Sequence, residues 1–145
     1  MNTQPRILIV DDNEVVRLSL LRCLQDGSRT VQLAACGPDA IRAMEEAPFD
    51  VVLLDLRMPG MDGLTVLRTL KQRWPECEVI VVTGYPTVET AVEAVRLGAF
   101  NYLAKPVGPD EVITAANDAT MQKKWTLRRD ATQHEGRALR AVASL

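Results

Sequence analysis

The chain has 145 residues, 47% of them hydrophobic and 25% charged, enough apolar content for one sizeable core and too little length for two ordinary domains. Its net charge of −2 hides an asymmetry, because residues 1 to 122 hold 11 Lys and Arg against 17 Asp and Glu, net −6, while residues 123 to 145 hold 6 against 2, net +4. An acidic body argues against a nucleic-acid grip by the body itself, which would need clustered Lys and Arg, and favours sites that take cations.

Three cysteines, Cys23, Cys36 and Cys77, form no CxxC pair and no cluster with the single histidine, His134, so neither a disulfide framework nor a zinc site is indicated. They read as small buried hydrophobes. Only the six residues Met1 to Arg6 precede the first apolar run, and no run approaches membrane-spanning length. The expectation is a soluble cytoplasmic protein with no membrane partner.

In chain order, Ile7 to Val10 reads as a buried strand, followed at once by Asp11, Asp12 and Asn13. Asn13 caps a helix with Val16, Leu20, Cys23 and Leu24 on one face and Gly27 past its end. Thr30 to Ala35 offers a second strand. Gly37-Pro38-Asp39 opens a second helix that turns Ile41 and Met44 inward and stops before Pro48. The apolar run Val51 to Leu54 makes a third strand, which delivers Asp55 to its far end before Pro59, Gly60 and Gly63 force turns. A third helix starts at Asp62 or Gly63, with Val66, Leu67, Leu70 and Trp74 inward, and halts at Pro75. Val79 to Val82 is a fourth strand ending at Thr83-Gly84. The next helix has Thr87 near its start, Val88, Ala91, Val92 and Val95 on one face, and Gly98 past its end. Phe100 to Ala104 is a fifth strand ending at Lys105-Pro106, and Pro109-Asp110-Glu111 begins a helix striped by Val112, Ile113, Ala116 and Ala119.

Five strands alternating with five helices predict an α/β fold: a flavodoxin-like, doubly wound parallel five-stranded sheet, order 2-1-3-4-5, with helices on both faces. Residues 1 to 122 would form this domain and residues 123 to 145 a basic helical extension or linker. Lys123, Lys124, Arg128 and Arg129 continue the last helix, and Leu127, Ala131, Ala138, Ala141 and Leu145 fit a feeble heptad.

Every strand but the second ends in a reactive side chain, and parallel strands put those ends on one edge. In this order the first and third strands flank the crevice where the winding reverses, so Asp11, Asp12 and Asp55 meet there. Three carboxylates repel one another unless some are protonated or a cation joins them. Mg²⁺ suits them, with Mn²⁺ as an alternative, because it takes a few carboxylate or carbonyl oxygens and leaves positions for a phosphate. A carboxylate can also act as a nucleophile and form an aspartyl phosphate, while Lys105 supplies a point positive charge and Thr83 a hydroxyl donor to the phosphoryl oxygens. These parts read together as a phosphoryl-acceptor site.

Four spaced pieces carry a resemblance: Asp11-Asp12 after the first strand, Leu54 to Gly63 around Asp55, Val82-Thr83-Gly84, and Gly98 to Pro106. Over residues 5 to 122 the chain resembles the receiver (CheY-like) domain of two-component response regulators, and Thr87 to Lys105 resembles the nitrogen-regulatory (NtrC-like) type. The resemblance implies that Asp55 accepts a phosphoryl group from a sensor histidine kinase, that Asp12 and Asp55 bind the metal directly, and that Asp11 binds through water. The backbone carbonyl of Arg57 would be a further ligand. It also implies that Thr83 and Tyr102 form a switch pair. On modification Thr83 turns toward Asp55 and Tyr102 rotates inward, altering the face of the fourth helix, fifth strand and fifth helix, through which a homodimer would form. Lys105-Pro106 resembles the family's cis peptide.

Such a protein is a phosphoacceptor regulator rather than an enzyme on an external substrate, catalysing only its own phosphorylation and dephosphorylation. Its output, transcription, would be reached through an output domain or DNA contacts beyond the carboxyl end, with a stand-alone relay or interaction module as the alternative. Asn101 departs from the family, where an acid is common. Arg57 and Tyr85, two residues beyond Asp55 and Thr83, are expected to tune access of water to the acyl phosphate. An FMN-binding flavodoxin is disfavoured because Asp11-Asp12 would repel its phosphate, and a haloacid-dehalogenase-type phosphatase because Arg57 stands where it needs a second Asp.

Overall fold

The computed structural model describes residues 4–126. The sheet strands are β1 (Arg6–Val10), β2 (Thr30–Ala34), β3 (Val51–Leu54), β6 (Glu78–Thr83) and β7 (Asn101–Ala104), all parallel and in the order β2-β1-β3-β6-β7. Counted as sheet strands this is the 2-1-3-4-5 order expected. The helices are α1 (Glu14–Leu24), α2 (Gly37–Glu46), α3 (Gly63–Arg73), α4 (Val88–Arg96) and α5 (Pro109–Thr126).

Both sheet faces are covered, which is why the strands read as unbroken apolar runs rather than alternating ones. Successive residues still point to opposite sides. Leu8, Val10, Val52, Leu54, Val79, Val81 and Tyr102 pack with Met44, Val66, Leu67, Leu70, Ala91 and Ala94 from α2, α3 and α4. Ile7, Ile9, Val51, Leu53, Ile80 and Val82 pack with Leu20, Leu24, Val112, Ala116 and Ala119 from α1 and α5. Asn13 caps α1 as the sequence implies, and Asp62 and Thr87 likewise accept a backbone N–H at the start of α3 and α4.

Two features differ from expectation. The turn after Asp55 contains a two-residue antiparallel hairpin, β4 (Arg57–Met58) with β5 (Met61–Asp62), closed by Pro59-Gly60 with Gly60 at φ +81°. It folds back so closely that a Cβ on Gly63 would lie 2.4 Å from the Leu56 Cα. The second difference is α4, whose buried residues are Ala91 and Ala94, while Val92 and Val95 are half-buried and Val88 is 71% exposed. At about 100° per residue, Thr87, Thr90, Ala91 and Ala94 share one face, and Val88 lies a step outside it. Of the cysteines, Cys77 is buried, but Cys23 and Cys36 are only partly so.

Lys123, on α5, pairs with Asp50, which also accepts the Arg6 N–H at 2.7 Å, so the last helix is tied to the strand starts. The basic extension beyond α5, its heptad positions Leu127, Ala131, Ala138, Ala141 and Leu145, and His134 lie outside the described residues.

Candidate functional site

The carboxyl ends of β1 and β3 are adjacent in register, with Val10 opposite Leu54, and each hands the chain to an aspartate. The Asp55 N–H donates to the Val10 carbonyl at 2.9 Å and the Asp11 N–H to the Ala34 carbonyl at 3.2 Å, so both acids are fixed to the sheet. One oxygen from each of Asp11, Asp12 and Asp55 lies within 4.8 Å of the others. Asp11 and Asp55 are buried and Asp12 is exposed.

Lys105 enters from the end of β7, its N–H bonded to the Thr83 carbonyl at 2.8 Å. Its Nζ donates to Asp11 Oδ2 at 2.7 Å and stands 3.5 Å from Asp55 Oδ2. Lys105 thus pairs with both acids, its shorter contact being with Asp11. Burial drives the Asp55 carboxyl above its ordinary pKa; the Arg57 N–H at 3.2 Å opposes this, Asp11 adds to it, and Lys105 opposes it. Burial lowers the Lys105 pKa, but the hydrogen bond and charge of Asp11, together with Asp55, outweigh it and the net shift is upward. The Lys105–Pro106 peptide is cis.

Thr83, 1% exposed, ends β6 on the same edge, and its Oγ1 accepts the Tyr85 N–H at 3.1 Å. Tyr85 is 66% exposed, and the Arg57 guanidinium lies 4.1 Å from its ring centroid, so the two residues named as tuning positions are in contact. Tyr102 is 3% exposed, with Oη 2.5 Å from Thr90 Oγ1 and 3.3 Å from the Thr87 N. The ring thus sits inside, bonded to the first turn of α4. Nothing in the sequence marks Thr90 beyond a hydroxyl three residues after the threonine cap of α4. Asn101 accepts the neighbouring Tyr102 N–H at 2.8 Å.

A family model described as the response regulator receiver domain matches residues 7–117. The chain belongs to that family. This receiver is 36% identical over 134 residues to the alginate biosynthesis transcriptional regulatory protein AlgB of Pseudomonas aeruginosa, covering 92% of this chain and 30% of that protein. It is 38% identical over 113 residues to the DNA-binding transcriptional regulator NtrC of Escherichia coli K12, covering 78% of this chain and 24% of that protein. The receiver chain thus spans less than a third of these curated relatives. Among solved structures it is similar to NtrX from Brucella abortus, at 30% identity and TM-score 0.81, covering 87% of this chain and 29% of that one. A CheY-like receiver domain protein from Methanospirillum hungatei gives TM-score 0.82 at 28% identity, covering 86% of this chain and 99% of that one.

The receiver's acid cluster suits a hard divalent cation by its chemistry: all three donors are carboxylate oxygens, two are withdrawn from water, and among the described residues only Lys105 forms an ion pair with these carboxylates, which leaves them with excess negative charge. Among the described residues no helix is long and apolar enough to cross a membrane.

Proposed function

We propose that Asp55 is the phosphoacceptor of this two-component receiver, taking a phosphoryl group from a histidine kinase in a step supported by Mg²⁺ or Mn²⁺. The observation that carries this reading is the convergence of Asp11, Asp12 and Asp55 within 4.8 Å beside Lys105. An Asp55 oxygen attacks phosphorus, the bond from phosphorus to the kinase imidazole nitrogen breaks, and that nitrogen keeps the electron pair. Asp12, Asp55 and the Arg57 carbonyl would hold the metal, with Asp11 behind them, and the ion would supply positive charge against the phosphoryl oxygens. Lys105 offers Nζ to another phosphoryl oxygen, and Thr83 turns its hydroxyl from the Tyr85 N–H toward the new dianion.

Residues 1–122 act as the receiver and 123–145 as a linker toward an output domain, in the cytoplasm. The greater length of AlgB, NtrC and NtrX supports an attached output over a stand-alone relay, and the names of AlgB and NtrC as transcriptional regulators support transcription as that output. The face of α4, β7 and α5, with Val88 exposed, passes the signal on and is the surface for a homodimer. The contact of Arg57 with Tyr85 supports a joint role in admitting water to the acyl phosphate, so Arg57→Ala should alter the rate of autodephosphorylation.

The test is Mg²⁺-dependent labelling by acetyl phosphate, read by mass spectrometry. One phosphoryl group on Asp55, absent from Asp55→Asn, is expected. Equal labelling of that variant, or none in the parent, would refute the assignment.

A further inference from the structure

The amino-terminal cap of α4 is built with a side chain from another element. Thr87 Oγ1 accepts the Thr90 N–H at 3.0 Å and lies 2.8 Å from Thr90 Oγ1, which is also 3.2 Å from the Thr87 carbonyl. Tyr102, brought by β7, joins this group through Oη, 2.5 Å from Thr90 Oγ1 and accepting the Thr87 N–H at 3.3 Å. A buried phenol stays inside only while its hydroxyl has a partner. Both partners belong to the first turn of α4, and neither lies in the acid pocket.

We propose that Thr90 is a positioning residue that holds Tyr102 inside before any phosphoryl group arrives. In this receiver the aromatic member of the switch pair therefore rests inward, and modification is reported by the loop ahead of α4 rather than by rotation of the ring. The loop has the connections to do so. Thr83 Oγ1 accepts the Tyr85 N–H at 3.1 Å, and Tyr85 lies two residues before Thr87, the cap to which Tyr102 is bound. Drawing the Thr83 hydroxyl toward Asp55 leaves the Tyr85 N–H without that acceptor and displaces the loop, while Thr90 keeps Tyr102 in place. This consequence rests on the phosphoacceptor reading; the inward resting place of Tyr102 does not.

The chain has two tyrosines, so 3-fluorotyrosine labelling gives two fluorine signals, and Tyr85→Phe assigns them. Exposure of each is read from the shift of its signal between H₂O and D₂O. In the unmodified parent Tyr102 should show less than a fifth of the shift of Tyr85. Thr90→Ala should raise it at least twofold, and Thr90→Ser, which keeps the hydroxyl, should restore the low value. A merely space-filling Thr90 would be replaced equally well by Ala or Ser. A low value unchanged in Thr90→Ala overturns the proposal, as does a parent in which Tyr102 is exposed and becomes protected only on adding beryllium fluoride with Mg²⁺. Failure of the phosphoacceptor reading shows differently: neither signal responds to beryllium fluoride, while Tyr102 still depends on Thr90.

Discussion

Replacing Asp55 with Asn should make the metal-free protein more stable at neutral pH. Asp55 is 5% exposed, and its carboxylate shares a 4.8 Å cluster with those of Asp11 and Asp12. With an effective dielectric of about 20, Asp11 repels by about 3.5 kcal/mol and Lys105 at 3.5 Å attracts by about 4.7 kcal/mol, while the exposed Asp12 adds less than about 1 kcal/mol. The charges therefore nearly cancel, and desolvation of the buried carboxylate sets the sign, against the charge, by about 1–2 kcal/mol. Asn keeps the size of the side chain and an acceptor for the Arg57 N–H. The pH dependence has a definite sign. Because the Asp55 pKa is raised above 3.8, the folded state holds this proton more tightly than the unfolded chain, so parental stability falls as pH rises through the raised value. The advantage of the variant should therefore be absent below about pH 4 and grow to a plateau by pH 7. Urea unfolding in EDTA across that range measures it. Saturating Mg²⁺ should reverse the order, adding about 2.7 kcal/mol to the parent at a hundred times its dissociation constant and less to the variant. A variant less stable than the parent in EDTA at pH 7, or equal stabilisation of both by Mg²⁺, would refute the reasoning.

Gly63→Ala should cost about 3 kcal/mol in urea unfolding, because its Cβ would meet the Leu56 backbone at 2.4–2.8 Å, and backbone cannot give way. Gly37→Ala should cost visibly less, since its nearest neighbour is the flexible Met61 side chain; equal losses would contradict this. For the thiols, burial pushes Cys77 up to about 12 and leaves it 2% exposed, whereas Cys23 and Cys36 are partly accessible. At pH 8 a thiol reagent should modify two cysteines readily and the third at least a hundredfold more slowly, at the pace of unfolding. Three equal rates would contradict that burial.

The sheet was legible because strands covered on both faces must be apolar throughout, so Ile7 to Val10, Val51 to Leu54 and Val79 to Val82 stand out against their polar flanks. The meeting of Asp11, Asp12 and Asp55 was legible for a related reason: once the strands are parallel, their ends share an edge. What escaped was anything that depends on side-chain direction or on very short elements. Strands of two residues, Arg57–Met58 and Met61–Asp62, carry no periodicity to detect. Val88 looked like core because its type is apolar, yet the face of α4 is set by the small Ala91 and Ala94 and by the bond of Thr90 to Tyr102. The shorter contact of Lys105 with Asp11 is a matter of how a four-carbon stem lies, which sequence does not encode locally.

The bond from Lys105 to Asp11 joins residues 94 apart in sequence. A ribosome releases the three aspartates first and the lysine some fifty residues after Asp55, an interval that at about 5–20 residues per second lasts several seconds. During that interval the nascent chain carries three acids destined for one place without the lysine that pairs with two of them. Loop-closure entropy delays so distant a contact further, until β7 has joined the edge of the sheet. Assembly of the acid pocket therefore coincides with completion of the fold, and an unfinished receiver has no formed pocket to present to a kinase.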